Sequence, residues 1–294
     1  MRSRDTLQIS GPGADIAAPF ARIVCGASGT RSSRVAIEQA VEIAGGDGTV
    51  RFLAITDVRG VGPNRVAGTG PARAERALAD ARQAAHDAGV AASTELCYHA
   101  DPRRVLVDTA RGSDLLVLGG HVHWRGEGMF LGSAAVYALH TAPIPVLISR
   151  PVPGGRRLAE RVMVAAAGVE GDRHAAQVAA ALAQRAGGSL TFLHVDHVDG
   201  PDVHRHLAEA AADAMAVTGT EPMVVSVKGH GPDALVALAD ELEATWLVLG
   251  SRSLAGLRAL ASVSERVGAR ARCPVLVMRD QASADARFTS RNSG

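Results

Sequence analysis

Two glycine-rich stretches of this 294-residue chain have the composition of an anion site. One is Gly26-Ala27-Ser28-Gly29-Thr30, directly after an apolar run. The other leaves an apolar run at Leu118-Gly119-Gly120 and reaches Gly132-Ser133-Ala134, where a helix is expected to open. A glycine-rich loop running into a helix N-terminus suits phosphate. Backbone N–H groups point outwards, the helix end carries partial positive charge, and glycine lets the backbone come close. The Ser133 hydroxyl could cap the helix or donate to a phosphate. The bland alternative is that the glycines only turn the chain after a strand.

The surrounding pattern alternates strands with helices. Ile23–Ala27 reads as a buried strand, and Ser32 or Ser33 can cap the helix that carries Ile37, Ala40, Val41 and Ala44 to a stop at Gly45-Gly46. Val50–Val58 is a second strand, residues 60–70 a Gly/Pro loop, and Pro71–Ala88 an amphipathic helix closed by Gly89. Val90–His99 mixes polar and apolar residues, as an edge strand does. Asp101-Pro102 starts a helix to about Arg111, and Leu115–Leu118 is a fully apolar fourth strand. The Gly119–Gly132 loop then leads to the helix Ser133–His140, and Pro143-Ile144-Pro145 introduces a last strand, Val146–Ser149. This alternation demands a parallel sheet with helices on both faces, in a doubly wound order 3-2-1-4-5. Strand order reverses between strands 1 and 4, and ligands of such sheets sit in that crevice, beyond the carboxyl ends. The two glycine-rich segments meet there.

The pattern occurs twice. Arg22-Ile23-Val24-Cys25-Gly26 returns as Arg161-Val162-Met163-Val164-Ala165, and Asp114-Leu115-Leu116-Val117-Leu118-Gly119 as Thr245-Trp246-Leu247-Val248-Leu249-Gly250. Ala142-Pro143-Ile144-Pro145-Val146-Leu147-Ile148 returns as Ala271-Arg272-Cys273-Pro274-Val275-Leu276-Val277. A spacing far beyond the ~20–50 residues of solenoid repeats makes each copy a domain. The expected organisation is a flexible tail over 1–20, a first α/β domain over 21–150, a second over 158–280 and a tail over 281–294. The apolar last strands, Val146–Ser149 and Val275–Met278, must be covered. They could pair with each other inside the chain, leave a homodimer to do so, or be covered by the chain's own tails.

Composition narrows the function. The net charge of +1 gives no global field for nucleic acid or acidic membranes, and 3% aromatic residues offer few stacking platforms for single strands. Apolar stretches such as Val162 to Val169 are far shorter than the ~20 residues of a membrane span. Residues 1–20 lack the apolar core of a signal peptide. Cys25, Cys97 and Cys273 make an odd count without a close pair, which fits a reduced cytoplasmic setting.

The second copy also contains Ser262-Val263-Ser264-Glu265-Arg266-Val267 and Cys273-Pro274-Val275-Leu276-Val277, and the first contains Gly119-x2-Val122-x9-Gly132-Ser133. In these motifs the chain resembles the universal stress protein family, in a tandem form that covers nearly everything outside the tails. The resemblance implies an ATP site, as in many members, and a stress-response role. It implies further that Gly119, Gly132, Ser133 and Ala134 form a phosphate loop entered through Leu118. Val122 stands where the family has its middle glycine, and a β-branched residue there resists positive φ. Ser28, after Gly26, stands in place of the family's aspartate and lacks the strength of a carboxylate. Ala27 and Ile55 would flank the base. In the second copy Ala167 replaces that aspartate, Ser253 and Ala261 replace glycines, and the Gly250–Ala261 segment is two residues shorter, so this copy reads as degenerate.

The remaining constellations carry less. His121, His123, Trp124 and Arg125 read as a solvated loop, although Arg125 could reach a phosphate. His194, His197, His204 and His206 are spread over two elements and read as surface or satisfied histidines. Asp57 lacks the acidic pair a phospho-acceptor needs. No nucleophile elbow or Walker A sequence is present. The reading is a binding protein for an adenine nucleotide, without metal or catalytic residues. A nucleotide-free interaction scaffold is the alternative, and a slow ATP hydrolase ranks below both.

Overall fold

A computed structural model of the chain describes residues 19–56, 70–99, 101–125, 128–166, 172–196, 201–228, 231–250 and 257–279. The expected loop over 60–70 apart from Gly70, and Asp57, Ala167, His197, Ser253 and nearly all of both tails, lie outside these residues. The expected N-terminal tail ends early, because Phe20 is 3% exposed and belongs to the core.

The first half runs β1 (Arg22–Gly26), α1 (Arg31–Ala44), β2 (Thr49–Thr56), α2 (Pro71–Asp87), β3 (Ala91–Tyr98), α3 (Pro102–Ala110) and β4 (Leu115–Gly119). It continues with β5 (Val122–Arg125), β6 (Gly128–Leu131), α4 (Ser133–Thr141) and β7 (Val146–Ser149). The second half runs β8 (Arg161–Ala165), α5 (Asp172–Arg185), β9 (Ser189–Asp196), α6 (Pro201–Thr218), β10 (Met223–Lys228), α7 (Gly231–Glu241), β11 (Trp246–Leu249), α8 (Leu257–Arg270) and β12 (Val275–Val277).

One ten-stranded sheet holds both halves, in the order β10-β9-β8-β11-β12-β7-β4-β1-β2-β3. Within this sheet every pairing inside a half is parallel and the order is the expected 3-2-1-4-5. The halves join through an antiparallel pair, β7 with β12, in which Ile148 faces Val275, Leu147 faces Leu276 and Val146 faces Val277. All six side chains are fully buried. Each apolar edge is therefore covered by the other, which removes the liability of an open edge.

Strand alternation divides the core in two. Ile23, Cys25, Phe52 and Ala54 join α1, α2, α5 and α6 on one face. Val24, Leu53, Ile55 and Leu116 join α3, α4, α7 and α8 on the other. Alanine is abundant on the sheet-facing sides of these helices, and its small side chain lets them sit close to the strands. α4 and α8 meet across the seam.

Local expectations needed three corrections. The cap of α1 is Thr30, whose hydroxyl accepts from Ser33 N–H, and not Ser32 or Ser33. Gly29 at φ 70° turns the chain one residue before Thr30, so the helix opens at Arg31. The stretch between β4 and α4 is no open loop: β5 and β6 pair antiparallel, with Val122 opposite Leu131 and Arg125 opposite Gly128. In the second half, α8 begins at Leu257, four residues before the position expected to end the loop. Leu257, Arg258, Ala259 and Leu260 are strong helix formers with no glycine to stop them.

Candidate functional site

The crevice at the carboxyl ends of β1 and β4 is built from two backbone turns. In the β1–α1 turn four hydroxyls interlock. Ser28 Oγ lies 3.1 Å from Thr30 Oγ1, and Thr30 Oγ1 lies 3.1 Å from Ser32 Oγ. Ser33 is buried; its Oγ accepts from Ser28 N–H at 2.9 Å and donates to Gly26 O at 3.4 Å. The segment from Gly26 to Arg34 contains two arginines, Arg31 and Arg34, both exposed, and no carboxylate. A third cation comes from α2. Arg73 lies over Gly29 and donates from Nη2 to Gly29 O at 3.0 Å. A Cβ on Gly29 would fall 3.0 Å from Arg73 Cγ, so the glycine also makes room for this arginine. The local field favours anions.

The second turn leaves β4 at Gly119. A Cβ there would lie 2.7 Å from the carbonyl carbon and oxygen of Ser32 and 2.9 Å from Ser33 N. The end of β4 thus abuts the N-terminus of α1, and only glycine permits that approach. Gly132 differs. Its backbone is extended, at φ −59° and ψ 147°, and a Cβ would meet nothing nearer than His121 O at 3.6 Å. Among the described residues nothing in the packing demands glycine at 132. It is the N-cap of α4 and offers no side chain to the first-turn N–H groups, whereas Thr30 caps α1 and Asp101 caps α3. Backbone bonds close the base of the hairpin: His121 N–H donates to Gly119 O and Gly132 N–H to His121 O, each at 2.8 Å.

The structure places Gly26, Ser28, Gly119, Gly132, Ser133 and Ala134 at this end of the sheet. Ser133 is exposed and Ala134 half-buried. Ala27, Ile55 and Leu118 are core residues, 2%, 9% and 4% exposed. Ala27 packs with the α1 face and Ile55 with the α3 face, so their side chains do not close together around a base. Ala27 N–H is also committed to Leu53 O at 2.8 Å. Val122 lies in strand β5, an extended setting that a β-branched residue fits, so no positive φ is required of it. One contributor, Arg73, was missed from the sequence, and no sequence signal links it to Gly29. Thr30 stood in the glycine-rich segment, but its role as cap was hidden among the neighbouring hydroxyls of Ser28, Ser32 and Ser33.

The described residues of the second half do not repeat this arrangement. α8 starts seven residues after Gly250, whereas α4 starts fourteen after Gly119. Ala261, the expected counterpart of Gly132, lies inside α8. His194 is buried on β9 and its Nδ1 lies 2.9 Å from Ala166 O, so it is a satisfied core histidine. Among the described residues no group of three metal-ligating side chains gathers, and no helix is long and apolar enough to cross a membrane.

Comparison with known proteins agrees with this architecture. A universal stress protein from Archaeoglobus fulgidus DSM 4304 superposes with a TM-score of 0.66 at 19% identity, covering 88% of this chain and 96% of its own. A functionally unknown protein, PA1789 from Pseudomonas aeruginosa PAO1, superposes with a TM-score of 0.64 at 17% identity, covering 92% and 98%. A putative universal stress protein from Pseudomonas aeruginosa UCBPP-PA14 does so with a TM-score of 0.64 at 18% identity, covering 94% and 98%. At these identities the likeness is one of fold. Among proteins with curated descriptions, no sequence matches the chain. The model of the Universal stress protein family matches residues 19–150 and again residues 159–279. A fold of two like halves, each matched by that model, means that this chain belongs to the universal stress protein family.

Proposed function

We propose that the chain binds an adenine nucleotide, ATP first among them, in its first half (residues 21–150) and acts in a stress response through that occupancy. The second half (158–280) is a degenerate copy. One observation carries the reading: Gly132 opens α4 with no side-chain cap, and no neighbour among the described residues accounts for its being glycine. An uncapped helix N-terminus reached through a glycine that packing does not need suits an anionic oxygen. Arg31, Arg34 and Arg73 add positive charge around the opposite turn. In this reading Gly119, Gly132, Ser133 and Ala134 face the phosphates, Gly26, Ser28 and Val122 border the rest, and Ala27, Ile55 and Leu118 support the crevice from the core. Three free cysteines suit a reducing, cytoplasmic setting.

The test is calorimetry with ATP and with cyclic AMP on the wild type and on Gly132→Val. The valine fits the backbone at negative φ and keeps the fold, but crowds the mouth of α4. Lost affinity in the variant is expected; equal affinity in both proteins rejects the cradle.

A specific observation favours a second reading, an interaction scaffold without nucleotide. The hydroxyls of Ser28, Thr30 and Ser32 bond one another, and the described β1–α1 turn itself carries no carboxylate for a ribose. Protein that releases no nucleotide on denaturation and shows no affinity in titration supports the scaffold.

A further inference from the structure

The base of the β5–β6 hairpin is not held by the first half alone. Its incoming end is fixed where Gly120 N–H donates to Ser149 O at 2.8 Å and Arg150 Nη1 donates to Gly120 O at 3.3 Å. The other guanidinium nitrogen of Arg150 crosses the seam. Nη2 donates to Gly268 O at 2.6 Å and Ala269 O at 3.1 Å, in the last turn of α8. These terminal carbonyls are the negative end of the helix dipole, where a cation is stabilised. Arg150 is half-buried, and its own carbonyl accepts from Gln39 Nε2 of α1 at 2.6 Å. One residue thus ties α1, the end of β4 and α8 together.

The outgoing end of the hairpin also rests on α8. Leu131, the residue before Gly132, is 4% exposed, and β6 packs on α8. A Cβ on Gly268 would lie 3.0 Å from Leu131 Cδ1 and 3.8 Å from Ile148 Cγ1. A glycine inside a helix is disfavoured relative to alanine. Here its missing side chain is what lets Leu131 settle. The arginine contact has a counterpart under the internal pseudo-symmetry. Arg279, which follows β12 as Arg150 follows β7, donates from Nη2 to Leu139 O near the end of α4.

We propose that α8 and Arg150 make the second half a working part of the first half's candidate site, by fixing both ends of the hairpin that presents the N-terminus of α4. Arg150 and Gly268 are positioning residues. The degenerate copy supplies the helix end and the close contact the other copy needs, while its own β11–α8 segment is shorter than the β4–α4 segment. The proposal takes only the identity of the ligand from the nucleotide reading.

The experiment uses the full chain as wild type, Gly268→Ala, Arg150→Met and Arg150→Lys. Amide hydrogen exchange is followed in peptides covering 119–132, with thermal melting and ATP titration beside it. Gly268→Ala is informative because alanine strengthens α8 while pressing on Leu131. Its melting temperature is expected to hold or rise while exchange over 119–132 accelerates severalfold. ATP affinity is expected to fall about three- to thirtyfold, the span of residues that modulate coupling between sites. Arg150→Met should accelerate the same peptides, and Arg150→Lys, which keeps the charge but not the fork, should restore part of the protection. Unchanged exchange over 119–132 in both Gly268→Ala and Arg150→Met overturns the proposal. So does a wild type that binds ATP alongside variants that bind it equally well. If exchange responds while no protein, wild type included, takes nucleotide, the coupling stands and the nucleotide reading falls.

Discussion

The two glycines that bracket the hairpin invite a direct comparison, because one is required by packing and the other is not. Placing alanine at 119 puts a Cβ 2.7 Å from the Ser32 carbonyl carbon and oxygen and 2.9 Å from Ser33 N. These are backbone atoms in the first turn of a helix capped by Thr30, so no side chain can swing aside. Overpacking in a closed site costs typically about 1–3 kcal/mol, and a clash against backbone on both sides belongs at the upper end. For a chain of this size, 1 kcal/mol shifts the midpoint by roughly 2–4 °C. Gly119→Ala is therefore expected to melt roughly 5–10 °C below the wild type. Alanine at 132 has its nearest contact at 3.6 Å and a backbone already at φ −59°. Losing glycine from an N-cap costs a few tenths of a kcal/mol or somewhat more, and the stiffer unfolded chain returns about 0.4–1 kcal/mol. Gly132→Ala should melt within about 2 °C of the wild type. Scanning calorimetry of the two variants decides the matter. A Gly119→Ala protein as stable as the wild type, or a Gly132→Ala protein equally damaged, refutes the division of labour between the two glycines.

Further outcomes follow from single side chains. Burial and the neighbouring Glu95 push the Cys97 thiol up to about 11. The protonated thiol is then favoured throughout the neutral range, so alkylation of the native protein at pH 8 should run about two orders of magnitude slower than for an ordinary thiol. It should accelerate about tenfold per pH unit up to pH 10; a fast, pH-independent reaction contradicts this. Thr56, at the end of β2, is 1% exposed and its hydroxyl has no hydrogen-bond partner. An unsatisfied buried hydroxyl is a cost, so Thr56→Val should raise stability by about 1 kcal/mol in a denaturant titration. A loss of stability instead would show that the hydroxyl is engaged.

Much of the fold was legible because it rests on local signals that tertiary contacts did not overrule. The fully apolar runs at Ile23–Cys25 and Leu115–Leu118 had to be strands buried on both faces. Gly45, at φ 57°, stops α1 as a glycine after an apolar helical face suggests, and Asp101 with Pro102 opens α3 as read. The hairpin was not legible. Its strands are four residues each, and the glycines that mark it look like those of an open loop. The start of α8 was misplaced because alignment with the first copy fixed attention on Ala261, while the helix follows the propensity of the residues before it.

The amino-acid order alone determined that two α/β units of one topology exist, that each ends in an apolar strand needing cover, and that glycines gather where the strand order reverses. These follow from periodicity and composition, which neighbours in sequence carry. Only the tertiary structure decided what each glycine is for. Gly119 admits α1, Gly268 admits Leu131, and Gly132 makes room for no described residue. Only the folded chain, likewise, brings Arg150 to the carbonyls of Gly268 and Ala269. Such contacts join residues far apart along the chain, and no pattern read along the chain encodes a distance across an interface.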